Sequence, residues 1–170
     1  MNVKYLLLCL ALLASSTHAL EIKDFKSGLI CAINKKDMGW VCIEKEDIEI
    51  TGQSSCIANG KEEKCTWYGY SYHYEAEQAG EQIDCKYHYS TAVNPVNPVS
   101  QKAATEEDTF TYKLPKKSGY YINAQYSLLG VTKEGKHETV SKVECFHKDK
   151  LLFKYRFKTI LPTIFPPSNI

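Results

Sequence analysis

Six cysteines constrain this chain more than any other feature: Cys31, Cys42, Cys56, Cys65, Cys85 and Cys145. They follow an opening stretch, residues 1–19, with a basic start at Lys4, an apolar run from Tyr5 to Ala14, and Thr17 and Ala19 flanking His18. That is the pattern of a secretory signal peptide. The apolar run is too short to span a bilayer and nothing apolar follows it to stop transfer. An even number of cysteines in an exported chain implies three disulfides, which persist only in an oxidising compartment. The expected location is therefore secreted, extracellular or bacterial periplasm, after signal-peptide removal near Ala19. The seventh cysteine, Cys9, leaves with the signal. Bulky Leu6, Leu7 and Leu8 precede it, which does not suit a lipid attachment site.

Hairpin registers suggest the pairing. Leu29–Ile33 and Trp40–Ile43 flank a polar loop; if Ile33 faces Trp40, Cys31 faces Cys42. A two-residue turn at Gly60-Lys61, with Gly at positive φ, puts Cys56 opposite Cys65. Elimination then joins Cys85 to Cys145. No Cys-x-x-Cys occurs, so neither a redox motif nor a zinc knuckle is indicated, and the cysteines read as scaffold.

Without the signal about 150 residues remain, enough for one domain with its own core. Loss of Lys4 brings the 21 basic residues level with the 20 acidic ones. A neutral chain has no general pull toward nucleic acid or anionic lipid, and no second long apolar run suggests membrane insertion. Period-two or apolar segments recur at 28–33, 40–44, 47–51, 64–74, 83–90, 109–114, 120–128, 138–146 and 151–159, bounded by turn-forming residues. No window carries a helical repeat. The expected architecture is all-β: one disulfide-braced antiparallel β-sandwich over 20–160, with a β-barrel as the alternative. Residues 91–108, which include Pro95 and Pro98, read as one long exposed connection between the two halves of the sheet system, and 161–170 as an extended C-terminal tail.

One constellation stands out. Tyr68, Tyr70, Tyr72 and Tyr74 share one face of a strand, and Tyr87 and Tyr89 follow at the same period. If Tyr74 opposes Ile83 across the 75–82 loop, the cross-strand pairs are Tyr72–Cys85, Tyr70–Tyr87 and Tyr68–Tyr89. Ile83 and Cys85 on that face favour a core layer of aromatic pairs. Six phenol hydroxyls favour an amphipathic contact surface, since each needs a partner if buried. Tyr68, Tyr70, Tyr72, Tyr87 and Tyr89 are therefore the candidate ligand-binding residues. On the opposite face Trp67, Ser71 and His73 would lie beside Asp84, Lys86 and His88.

His73 opposite Asp84 is either a surface ion pair or an acid–base dyad. His88 is too far from His73 to share a metal ion. His137 and His147 sit among lysines and glutamates and read as solvated. The acidic run Glu44, Glu46, Asp47, Glu49 lacks calcium-loop spacing. No nucleophile elbow, Cys–His pair or phosphate loop is present. These readings favour an exported, non-enzymatic protein, with no cofactor or metal, that binds another secreted or surface protein as an inhibitor or protective factor. The alternatives are a carbohydrate-binding module using Tyr and Trp67 (a glycan partner) and, last, a small hydrolase built on His73 and Asp84.

Overall fold

The computed structural model describes residues 20–31, 39–58, 60–93, 105–129 and 138–160. The expected signal peptide, the tail and the centre of the proline-containing connection lie outside them. Within the described residues the chain is all-β, with strands β1 (Glu21–Cys31), β2 (Trp40–Glu44), β3 (Asp47–Glu49), β4 (Ser54–Ala58) and β5 (Lys61–Glu75), then β6 (Gln82–Val93), β7 (Thr105–Lys113), β8 (Ser118–Leu128), β9 (Glu138–His147) and β10 (Lys150–Ile160).

Two five-stranded sheets form. The first has the order β2-β1-β5-β4, with β8 also on β5; the second has the order β3-β10-β9-β6-β7. Cys65 pairs with both Ser54 of β4 and Leu128 of β8, so β4 and β8 lie on opposite sides of β5. All pairings are antiparallel except the short β3–β10 pair, which is parallel. The sheets curl around one aromatic core, so sandwich and half-barrel both describe the molecule.

The strand β1 explains part of the curl. Its ladder with β5 skips between Lys23 and Lys26. Asp24 there has φ of 51°, a left-handed conformation that asparagine and aspartate tolerate best after glycine. The extra residue switches the inward parity. Ile22 faces the core before the bulge, Phe25 and Leu29 after it, and Phe25 packs at a tilt on Phe153 with ring centroids 4.8 Å apart.

The strands β5 and β6 do not form the expected hairpin. The strand β5 pairs with β1, β4 and β8, whereas β6 pairs with β7 and β9 in the other sheet. The β5–β8 ribbon instead bends around a corner and continues as β6–β7. The turn is held by Ala76 N–H to Lys117 O (2.6 Å), Gly80 N–H to Leu114 O (2.7 Å) and Leu114 N–H to Glu81 O (2.9 Å). Leu114, fully buried, fills the inside of the bend. The connection expected over 91–108 is also shorter. The strand β6 continues to Val93, which pairs with Thr105 of β7, so the segment closes a hairpin within one sheet and does not tether two halves.

The three disulfides are Cys31–Cys42, Cys56–Cys65 and Cys85–Cys145, with Cα separations of 5.8, 5.9 and 4.1 Å. Only Cys85 and Cys145 are directly opposite each other. Cys31 faces Trp40, and Cys42 is the extra residue of a bulge between Leu29 and Ile30 of the partner strand. Cys56 faces Glu63 because the β4–β5 ladder closes at Ala58–Lys61, one position earlier than expected, with Gly60 at φ of 74° in the turn. Both hairpin bridges are thus diagonal, a spacing still within disulfide reach.

Candidate binding surface

Both tyrosine rows point inward, from facing sheets. Tyr70 and Tyr72 are fully buried, Tyr74 and Tyr87 nearly so, and Tyr68 and Tyr89 half-buried. The candidate contact residues Tyr70, Tyr72 and Tyr87 are therefore core, and the six-tyrosine face is no exposed surface. Their neighbours are not each other across one ladder. Tyr72 pairs with Tyr121 of β8, and Tyr70 packs on Phe153 and Tyr155 of β10 at 5.4 and 4.8 Å. Three of the six hydroxyls have partners among the described residues: Tyr72 with Tyr112 at 2.7 Å, Tyr87 with Tyr155 at 3.4 Å, Tyr68 with Ser127 at 3.3 Å. Burial is the main cause that raises the phenol ionisation of Tyr68, Tyr70, Tyr72, Tyr87 and Tyr89. The same cause pushes Tyr121 up to about 12.

A row of aromatics, with Tyr120 and Tyr126 exposed, lies on the outer face of the first sheet. With Tyr68, Tyr70 and Tyr72 inward, Trp67, Ser71 and His73 face out, and the ladder sets Trp67 against Tyr126 and His73 against Tyr120. Trp67 and Tyr126 meet edge to face, centroids 4.9 Å apart. The Tyr126 hydroxyl donates to Ile57 O at 3.4 Å, bringing β4 into the same row. Ile57 is 68% exposed and Tyr126 40%. Ile30 and Val41, cross-strand partners on β1 and β2, are buried on this same outer side, away from the main core. Gly69 admits the Ile30 side chain, whose Cδ1 would lie 3.0 Å from a Cβ built there.

The strand β8 contributes the unusual part. Its outward set, Tyr120, Ile122, Ala124 and Tyr126, is more apolar than its inward set, Tyr121, Asn123 and Gln125. Alternation alone assigns the apolar set to the core, so Tyr120, Tyr126 and Ile57 were not candidates from sequence. The inverted amphipathicity of 120–126 beside Trp67 is the signal that could have found them.

The polar candidates separate. His73 lies on the outer face of the first sheet with Asp24 at 3.5 Å; Asp84 lies on the outer face of the second, accepting from Thr111 and Gln82. The acid–base pair His73–Asp84 does not form. His88 meets Glu107 at 3.3 Å on the second sheet, away from Trp67. His147, expected to be solvated, is instead buried against buried Glu81. Its Nε2 lies 3.4 Å from the carboxylate and its Nδ1 3.0 Å from Gln82 O, with Lys148 Nζ 3.6 Å from the same carboxylate. A carbonyl only accepts, so the hydrogen bond to Gln82 O is donated by Nδ1. The group clamps the β9–β10 turn to the bend of the long ribbon.

Among the described residues no cluster of His, Cys, Asp and Glu is arranged to hold a metal ion. A shallow open pocket of about 390 Å³ lies between the start of β1 and the start of β10, lined by Leu20, Ile22, Lys150 and Leu152 among others. No family model, curated protein or solved structure matches this chain.

Proposed function

We propose that the chain is an exported, non-enzymatic protein that recognises another protein through the outer face of its first sheet. The observation that carries this reading is the row Trp67–Tyr126–Ile57, in which Tyr126 and Ile57 are exposed and Trp67 is half-buried beside them, on a frame that three disulfides hold rigid. Exposed contiguous apolar surface marks interaction sites, and Trp and Tyr dominate binding energy at protein interfaces. A rigid frame lowers the ordering cost of binding. The three disulfides fit an oxidising compartment, and the signal-like residues 1–19 supply the route to it.

The same row favours a protein partner over a glycan. The rings of Trp67 and Tyr126 are inclined at 60°, so they present an edge and a face, not one flat platform for a sugar ring. The hydrolase reading has lost its acid–base pair to opposite faces of the molecule.

The test is affinity capture by the oxidised mature chain from native secretions, read by mass spectrometry, beside a Trp67→Ala, Tyr126→Ala double variant. A stoichiometric partner held by the parent and lost by the folded variant supports the reading. Equal capture by both would sink the proposed face.

A further inference from the structure

We propose that β8 is a pairing edge for a second copy of this chain, which adds antiparallel to β8 across a two-fold axis at Asn123. Among the described residues β8 pairs with β5 alone. The ladder fixes which backbone groups remain. Leu129 N–H donates to Lys64 O and Lys117 O accepts from Ala76, so odd-numbered residues of β8 bond inward to β5. In an antiparallel ladder alternate residues point the other way. Tyr120, Ile122, Ala124 and Tyr126 therefore turn their N–H and C=O groups to the open edge.

The other sheet edges are protected in the usual ways. The strands β2, β3 and β4 are short, and β7 carries Glu106, Glu107 and Asp108 in succession. The strand β8 runs over 11 residues, Ser118–Leu128, with no charge and no proline. Long uncharged edges are templates for strand addition.

The sequence of β8 is complementary to itself in the register that its free groups dictate. Hydrogen-bonded pairs must join even-numbered residues. A two-fold axis at Asn123 sets Tyr120 against the partner's Tyr126 and Ile122 against the partner's Ala124. All four side chains lie on the outer face, where tyrosine pairs across the strands are favourable. No like charges oppose each other on β8, and the chain without residues 1–19 is neutral, so association meets no net repulsion. The joined first sheets would also place the two Trp67–Tyr126 rows side by side. The inference rests on the edge and not on the proposed recognition face, and either can fail alone.

The experiment is sedimentation of the oxidised mature chain across the micromolar range, with backbone hydrogen exchange. Ile122→Pro removes an N–H that β5 does not use, and edge positions of this kind tolerate proline. Ile122→Lys places a charge on the edge and guards against a folding defect in the first variant. The expected result is a mass that doubles with concentration in the parent, slowed exchange at the amides of Tyr120, Ile122, Ala124 and Tyr126 in the dimer, and a monomer for either folded variant. A parent that stays monomeric, a dimer whose variants associate equally well, or a dimer that leaves those four amides exchanging as in the monomer would each overturn it. Slowing of those amides only when a different protein is added would assign the edge to that protein and overturn the self-pairing.

Discussion

Tyr70 carries the only buried side-chain oxygen or nitrogen among the described residues with no hydrogen-bond partner of good geometry; the Tyr112 hydroxyl lies near enough to interact with it, but bonds to Tyr72. Its ring is well used, packed on Phe153, Tyr155 and Tyr72. Its hydroxyl is a cost, because a buried unpaired polar group loses its water and gains nothing. Tyr72, one turn of the pleat away, has the reverse balance, with a 2.7 Å bond to Tyr112. The two residues look identical in the sequence and differ only in what faces them from the other sheet. Tyr70→Phe should therefore leave stability unchanged or raise it by about 1 kcal/mol, while Tyr72→Phe should lower it by about 1 kcal/mol. Thermal or denaturant unfolding of the two variants checks this, and a loss in Tyr70→Phe as large as in Tyr72→Phe would mean that Tyr70 has a partner after all. His147 shows the same limit of legibility. Its neighbours in sequence are charged, so it reads as solvated, yet the fold lays it on Glu81, 66 positions earlier in the chain, where a buried charge tolerates burial only by pairing.

At the level of strands, alternation told which side chains face the core and was silent on which strand lies alongside. Tyr68–Tyr74 and Tyr87–Tyr89 give the same period-two signal whether their strands share a ladder or face each other from two sheets. The short 76–81 connection suggested a hairpin, and only the matching connection 114–117, bonded to it around the corner, turns it into a bend. The first turns of β1 were invisible because the bulge at Asp24 breaks the alternation where the strand begins. The disulfide pairs were legible although two of the registers behind them were not, since bridges tolerate a diagonal offset that ladders do not. Close packing between strands leads to a second prediction. Gly69 faces Gly28 across the β1–β5 ladder, and a Cβ at Gly69 would sit 1.9 Å from Asn123 O at a φ of 157°. Gly69→Ala should destabilise by about 3 kcal/mol, since the backbone of β8 must move. Gly60→Ala has nothing within 4 Å of its Cβ and keeps only the cost of φ 74°, about 1 kcal/mol. Equal losses in denaturant unfolding would show that conformation, not the approach of β8, decides both sites.

For the whole molecule the decisive property is a core built from phenols. A hydrocarbon core of the same shape is indifferent to alkali; this one is not. An exposed tyrosine ionises near pH 10. Burial raises Tyr68, Tyr70, Tyr72, Tyr87, Tyr112 and Tyr155 above that value, and Tyr121 to about 12. The folded chain thus holds protons that the unfolded chain gives up. Below about pH 10 both states keep them and the full stability is present. Above it the unfolded state binds fewer protons than the native one, so stability falls as pH rises toward the folded values. Several phenols share one interior, so they should ionise together, when the fold opens, and not one by one. The expected alkaline titration has a late, steep rise of phenolate absorbance that coincides with loss of β-sheet circular dichroism. With the disulfides intact it should reverse on neutralisation, and after reduction it should move to lower pH. The bridge Cys85–Cys145, whose ends are 60 residues apart, should make the largest single contribution to that move, at about 4 kcal/mol by the chain-entropy argument, against about 3 kcal/mol for each of the two short hairpin bridges. A gradual absorbance rise with the circular dichroism unchanged would show that hydroxide reaches the tyrosines in the native state, and the two sheets would then be open to solvent between β7 and β8 instead of closed over a dry aromatic interior.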